Sequence, residues 1–272
     1  MKTIKQTFVI ALFGLLLMSN SSIAQDEKSY LITVTKMHWN MNLDDFSMDE
    51  WKKGEKEYLD KVVKKNEFIV GQIILTHYFT ADNTELLLVT TYDNWEAIEK
   101  AGKRSDELEK LAWPDEKVAK AYFDKKSNYY AGNHSDEIYA TMKGAKMNGS
   151  NFDKEVLYYI RVSHFANQKD GSNKEYTELN KQYFDAVINK NEFVKAYYPN
   201  VHAWGSDNTQ FTEVFVVDDL ASIEKSFDKN SSLFKAAWNT EAKQKEFGKK
   251  MGKYFTGVHR DYIYKLVPEL SK

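Results

Sequence analysis

The sequence predicts an α+β protein made of two copies of one βαββαβ unit. The copies lie 125 residues apart: when residues 65–100 are placed on residues 190–225, 13 of the 36 aligned positions are identical. The six histidines also pair between the copies, as His77 with His202, His134 with His259 and, after a slip of one residue, His38 with His164. An internal repeat of this density fixes the architecture before any single motif is considered.

Each copy begins with a predicted strand and helix. The first strand covers 30–39 in one copy and 156–165 in the other. The helix follows a capping box, Ser47-x-x-Glu50, which returns as Ser172-x-x-Glu175. Apolar residues behind each box recur at helical spacing, so one face of each helix is expected to pack on a sheet.

The rest of each copy predicts a hairpin, a broken helix and a last strand. Strands at 68–79 and 85–91 flank Asp82-Asn83, residue types that tolerate the tight backbone of a hairpin turn. A helical region at 93–129, interrupted in the middle, leads to a strand at 134–142. The second copy has the same signals around Asp207-Asn208, at 218–254 and at 259–266.

This order of elements is that of the ferredoxin-like unit. We predict repeat 1 at 25–142, a linker at 143–153 with two glycines, and repeat 2 at 154–272. The tandem arrangement resembles the dimeric α/β-barrel superfamily, which includes antibiotic-biosynthesis monooxygenases, EthD-like and NIPSNAP-like proteins, haem-degrading monooxygenases and chlorite dismutase. The resemblance implies that both sheets form one intrachain barrel. For an enzyme it implies cofactor-independent oxidation or an isomerisation.

Residues 1–24 predict an export signal. Lys2 and Lys5 precede an apolar run at 8–18, and Ser22-Ile23-Ala24 offers a small-x-small cleavage pattern. The run is shorter than the about 20 residues that span a bilayer. We therefore expect an exported, soluble protein, periplasmic or extracellular, with no membrane insertion after cleavage.

Composition excludes several classes of function. The chain has no cysteine, which rules out disulfides, thiolate metal sites and cysteine nucleophiles. Cleavage after residue 24 would remove two lysines and no acid, leaving a net charge of 36 − 40 = −4. That balance gives no reason to expect nucleic acid as a partner. Aromatic residues make up 14% of the chain and supply a large core.

The histidines are the candidate site residues, because the predicted topology brings them to the hairpin end of each sheet. Imidazoles can bind ligands or exchange protons near neutral pH, and three can hold a divalent metal. His77 and His202 lie within strands and are the catalytic candidates. The ligand-binding candidates are His38, His134, His164, His259, Trp39 and Trp204. The alternative interpretation is that these histidines pack against neighbouring side chains or hydrogen-bond to loop carbonyls.

The sequence thus predicts an exported protein that binds a small apolar or aromatic molecule between sheet and helices of each repeat. Two alternatives stay open: a haem- or divalent-metal-binding protein, and a non-catalytic partner-binding module. The sequence indicates neither a particular cofactor nor further oligomerisation.

Overall fold

The computed structural model describes residues 29–147, 154–167 and 170–272. The predicted export signal at 1–24 lies outside the described residues. Within the described ranges, no helix is long and apolar enough to cross a membrane.

The first repeat has the predicted element order. Its elements, in chain order, are β1 Leu31–His38, α1 Met48–Lys61, a 3₁₀ turn Val63–Lys65, β2 Gly71–Phe79, β3 Glu85–Tyr92, α2 Trp95–Ala112, α3 Glu116–Ser127 and β4 Ser135–Thr141. Pro114 interrupts the long helical region, because proline lacks an amide hydrogen and restricts the residue before it. A new helix, α3, then starts on the side chain of Asp115, which accepts from the Val118 amide.

The second repeat has the same order, preceded by a short extra strand. Its elements are β5 Lys146–Met147, β6 Leu157–Phe165, α4 Asn173–Tyr183, a π-helical turn Phe184–Ile188, β7 Ala196–Trp204, β8 Gln210–Val217, α5 Leu220–Ala237, α6 Glu241–Gly252, β9 Phe255–Leu266 and a 3₁₀ turn Pro268–Leu270. Strand β5 lies inside the stretch predicted as a linker. Both predicted caps are present, since Ser47 and Ser172 accept from the amides three residues later.

The eight long strands form one closed antiparallel barrel. The sheet order is β4-β1-β3-β2 in the first repeat and β9-β6-β8-β7 in the second. Strand β2 pairs with β9, and β4 pairs with β7, so each repeat is joined to the other along two seams. Strand β5 extends the pairing along the start of β7. The structure confirms the prediction of two ferredoxin-like units in an intrachain α/β barrel.

Apolar side chains fill the inside of the barrel, and the helices cover its outside. Alternation along each strand sends one set of side chains inward. The inward set forms a single cluster from both repeats, which includes Leu75, Leu87, Tyr158, Ile160, Ala196, Val216, Tyr264 and Leu266. The outward set packs under the helices of its own repeat in separate clusters. Sites for ligands are therefore expected on the outer, helix-covered faces.

A buried asparagine fixes the turn before the second long strand of each repeat. In repeat 2, Asn191 donates to the Ser226 carbonyl at 2.9 Å and to Asn230 Oδ1 at 2.7 Å, and it accepts from the Phe193 amide at 3.0 Å. Asn66 makes the equivalent contacts in repeat 1. Both side chains are fully buried. The shared Lys-Asn-Glu-Phe string thus has a structural cause.

We predict that Asn191→Ala lowers the free energy of unfolding by at least about 1–3 kcal/mol, because it leaves buried polar groups without partners. Urea unfolding followed by circular dichroism measures the change. Asn133→Ala, at an exposed loop position, is the matched control and should change stability by less than about 0.5 kcal/mol. Equal effects of the two substitutions would contradict the assigned role.

Candidate functional site

All six histidines lie toward one end of the barrel. Strands β1, β2, β6 and β7 run in one direction and their neighbours run in the other. The C-terminal ends of β1, β2, β6 and β7 and the N-terminal ends of their neighbours therefore lie at the same rim of the barrel. A two-fold pseudo-symmetry axis along the barrel relates the histidines of one repeat to those of the other.

Four histidines are on the inner side of the barrel wall. His38 Nδ1 lies 3.2 Å from Asp82 Oδ2, and His164 Nδ1 lies 3.2 Å from Asp207 Oδ2, so each ring contacts its own hairpin turn. His77 pairs across the seam with Tyr264, and His202 with Tyr139. His77 Nδ1 contacts Thr80 Oγ1 at 2.8 Å. Among the described residues, His202 Nε2 is a buried atom with no hydrogen-bond partner.

The other sequence candidates lie elsewhere on the same rim. His134 and His259 are on the outer side, with His134 Nε2 3.3 Å from Asp136 and His259 Nδ1 2.9 Å from Asp261. Trp39 packs edge-on against Trp51, with ring centroids 4.9 Å apart, and belongs to a core cluster. Trp204 is 70% exposed. In the described part of the chain, no three His, Asp or Glu side chains converge in a way that could hold a metal ion.

The most distinctive cavity is on the outer face of the second repeat, between the sheet and helices α4, α5 and α6. It has a volume of about 470 Å³, within the about 300–1,000 Å³ typical of small-molecule sites. Its lining is mostly aromatic and comprises Tyr159, Arg161, Tyr176, Asn180, Tyr183, Phe211, Glu213, Phe215, Phe227, Asn230, Phe234, Phe247, Gly248, Met251, Gly252 and Phe255.

Two charged groups, Arg161 and Glu213, line the floor of this cavity, and Asp261 lies beside Arg161 on the neighbouring strand. The strand register places Arg161 of β6 between Glu213 of β8 and Asp261 of β9. Arg161 Nε donates to Asp261 Oδ1 at 2.9 Å, and Tyr159 Oη donates to the same oxygen at 2.6 Å. Burial opposes ionisation of Asp261, but these hydrogen bonds outweigh it and lower the pKa of that carboxyl. Asp261 and Arg161 are therefore an ion pair.

Glu213 is in a different state from Asp261. Burial raises the pKa of Glu213 above its ordinary value, and neither the Tyr197 hydrogen bond nor the Arg161 charge cancels that effect. Tyr197 Oη donates to Glu213 Oε1 at 2.8 Å. Glu213 is half-buried: it lines the cavity on one side, and protein surrounds it on the others. It can therefore exchange a proton with a bound molecule nearer neutral pH than an ordinary glutamate can.

The wall of the cavity offers one further polar atom. Tyr176 is 7% exposed, and within the described ranges its hydroxyl oxygen is buried without a hydrogen-bond partner. Burial also raises the pKa of this phenol, which stays protonated. Buried polar atoms are nearly always paired in folded proteins. The Tyr176 hydroxyl is therefore available to a molecule inside the cavity.

The equivalent space in the first repeat is narrowed by larger and charged side chains. Glu55 stands where repeat 2 has Asn180, and its carboxylate binds both Lys126, at 2.7 Å, and Tyr130, at 2.6 Å. Repeat 2 has Met251 and Phe255 at the positions of Lys126 and Tyr130, and Gly248 at the position of Phe123. Thr35 and Leu88 replace Arg161 and Glu213. The two repeats share a fold, but only the second keeps this cavity with its charged floor.

A smaller cavity of about 250 Å³ lies in the first repeat, beside α1 and α3. Its charged groups are paired with one another: Lys125 with Glu50 at 2.8 Å, and Lys126 with Glu55 at 2.7 Å. These exposed and internal ion pairs satisfy its polar lining. Unlike Glu213 in the cavity of repeat 2, these carboxylates each have a lysine partner.

Sequence reasoning missed Arg161, Glu213 and Tyr176 because it searched for residues that both copies share. The cavity lies where the copies differ. One signal was present: Glu213 interrupts the apolar strand sequence Gln-Phe-Thr-Glu-Val-Phe-Val-Val on its helix-facing side. A lone acid in such a strand indicates a buried carboxyl that needs a partner.

The lining bears on a haem bound in this cavity, and not on the histidine clusters at the rim. Haem iron in proteins is most often held by a histidine, and the described residues that line the cavity include no histidine. The ring of His259 is directed to Asp261 beneath the floor. A histidine-ligated haem does not fit this donor set.

No protein-family model and no curated protein matches the sequence significantly. Solved structures do match in shape. A candidate monooxygenase from Lactobacillus acidophilus is 10% identical, with a TM-score of 0.51, over 88% of this chain and 93% of its own. A candidate monooxygenase from Fusobacterium nucleatum is 11% identical, with a TM-score of 0.52, over 88% of this chain and 92% of its own. A mutant chlorite dismutase from Candidatus Nitrospira defluvii is 11% identical, with a TM-score of 0.50, over 90% of this chain and 93% of its own. The chain has the dimeric α/β-barrel fold, with both halves of the barrel in one polypeptide.

Proposed function

We propose that this protein binds a small, largely apolar or aromatic molecule in the cavity of its second repeat. The observation that carries the proposal is a space of about 470 Å³ with aromatic walls and a carboxyl, Glu213, at its floor. Aromatic lining provides affinity by burial, whereas a few fixed polar groups orient a ligand.

The proposal extends to catalysis through Glu213. A carboxyl with a raised pKa, next to an ion-paired Arg161 and an unpartnered phenol, is the kind of group that acts as acid or base. Two of the fold neighbours are named as candidate monooxygenases, and their chemistry suggests oxidation as the first reaction class to assay. His77 and His202 stay sequence predictions; because they point into the barrel, His202→Ala should leave binding in the cavity unchanged.

We also propose that the protein is exported, on the strength of residues 1–24. Mass spectrometry of protein isolated from its native cells should find a chain that begins at Gln25. A chain that retains the residues before Gln25 would contradict this part of the proposal.

Filling the cavity should abolish binding. Gly248 lines it, and a Cβ at this position meets nothing within 4 Å, so Gly248→Phe can place a ring in the space, as Phe123 does in repeat 1. The probes are three 2-naphthyl compounds: the methylamine, the methanol and the carboxylate. At ten times Kd, a bound probe should stabilise the protein by about 1.4 kcal/mol, visible as a higher melting temperature.

Gly248→Ala is the matched control, because alanine favours the helix by up to about 1 kcal/mol without filling the cavity. It should melt slightly higher than the original protein and still bind. The proposed site is wrong if none of the three probes binds the original protein. It is also wrong if the Gly248→Phe variant binds a probe as tightly as the original protein binds it. The non-catalytic partner-binding alternative would then be favoured.

The buried state of Glu213 predicts a pH-dependent effect of Glu213→Gln. A carboxyl whose pKa is raised in the folded protein stabilises it when protonated, and that contribution is lost as the pH rises through the folded pKa. Glutamine has no charge to bury and can still accept from Tyr197. The variant should therefore match the original stability below the ordinary pKa of 4.5 and exceed it increasingly above that value. Melting curves across pH measure this; a variant that is less stable at neutral pH would contradict it.

A further inference from the structure

The charges at the floor of the cavity do not balance. Two carboxylates, Glu213 and Asp261, flank one guanidinium, Arg161. Asp261 takes the direct contact with Arg161 at 2.9 Å. Glu213 instead receives a neutral phenol, that of Tyr197. When Glu213 is ionised, its negative charge therefore has no cation in direct contact among the described residues, and a buried unmatched charge is costly.

The walls around this charge suit a cation. Tyr159 stacks against Phe215 with ring centroids 5.5 Å apart and forms a T-shaped pair with Phe227 at 5.7 Å, and the Arg161 guanidinium already lies 5.8 Å from the Tyr159 ring centroid. The faces of aromatic rings attract cations electrostatically, most strongly where water is excluded. Phe227 is 46% exposed, so part of this aromatic surface is open to an arriving molecule.

The polar atom on the wall is also suited to a cation. The Tyr176 oxygen is buried and, in the part of the chain that the structure describes, has no partner. A phenol oxygen can accept a hydrogen bond from an ammonium N–H. An anionic ligand would meet the Glu213 carboxyl and an arginine already paired with Asp261, and a neutral ligand would supply no cation to Glu213.

We propose that the ligand of this cavity is an organic ammonium ion: an apolar or aromatic body with a protonated amine that lies beside Glu213. This inference rests on the proposed binding site and adds the charge of its ligand. The amine supplies the cation that the floor lacks, the aromatic walls enclose its body, and Tyr176 accepts one of its hydrogens.

Proton release follows from this arrangement. The ionisable groups that face Glu213 are Tyr159 and Arg161 on β6, Tyr197 on β7, Asp261 on β9, and Tyr176 and Tyr183 on α4. The lining residues that α5 and α6 contribute are uncharged. An ammonium ion beside Glu213 favours its ionised form, so binding should expel a proton wherever Glu213 is protonated beforehand. The apparent affinity for the amine should rise with pH over the same range.

The test compares the three 2-naphthyl probes by isothermal titration calorimetry on the whole protein. The methylamine is expected to bind at least about tenfold more tightly than the neutral methanol, and the carboxylate most weakly. Glu213→Gln should remove the preference for the amine over the methanol. Glu192→Gln, which removes an exposed carboxylate paired with Lys229, should keep the preference.

A second measurement needs no variant. Titrations in buffers of different ionisation enthalpy should show proton release with the methylamine, and none with the methanol, at pH values where Glu213 is protonated in the free protein. Equal affinities for amine and methanol, or a preference for the carboxylate, would overturn the inference and leave the binding site itself intact. Failure of every probe to bind would overturn both.

Discussion

Strands β2 and β4 are the outer strands of the first repeat, and in an isolated unit each would expose a row of unpaired backbone groups. Such edges invite association with other chains. Here β2 pairs with β9 and β4 pairs with β7, so the second repeat covers both edges. Because both repeats belong to one chain, barrel closure does not depend on protein concentration. The positions of the shared interior and of the two outer faces follow from this reciprocal pairing.

Closure decides where function can reside. The interior holds one packed cluster from both repeats, including Leu75, Tyr158 and Tyr264, which leaves the helix-covered outer faces for ligands. Two-fold pseudo-symmetry gives two such faces, one in each repeat, and they differ in their side chains. A Glu55–Lys126–Tyr130 network occupies one face, whereas small or apolar residues open the other around Glu213. Duplication thus left the two copies with different outer faces on one shared fold.

Much of the fold could be predicted from sequence because its signals are local or repeated. Ser47 and Ser172 cap their helices as their spacing predicts, and Asp82 and Asp207 form turns. Strand β9 begins earlier than predicted, at Phe255, because its pairing with β6 extends to Phe165. The site could not be predicted in this way. The residues identical between copies include Asn66 and Asn191, which hold the fold, whereas Arg161 and Glu213 meet only through the register of β6 and β8.

Hydrogen–deuterium exchange along the two seams tests the central claim most directly. If the barrel is closed, amides of β4 and β7 at residues 139–141 and 200–202, and those of β2 and β9 at 75–77 and 264–266, should exchange as slowly as the pairs between β1 and β3 inside one repeat. Exchange at the seams as fast as in exposed edge strands, with β1 and β3 still protected, would mean two separate sheets and would contradict the account.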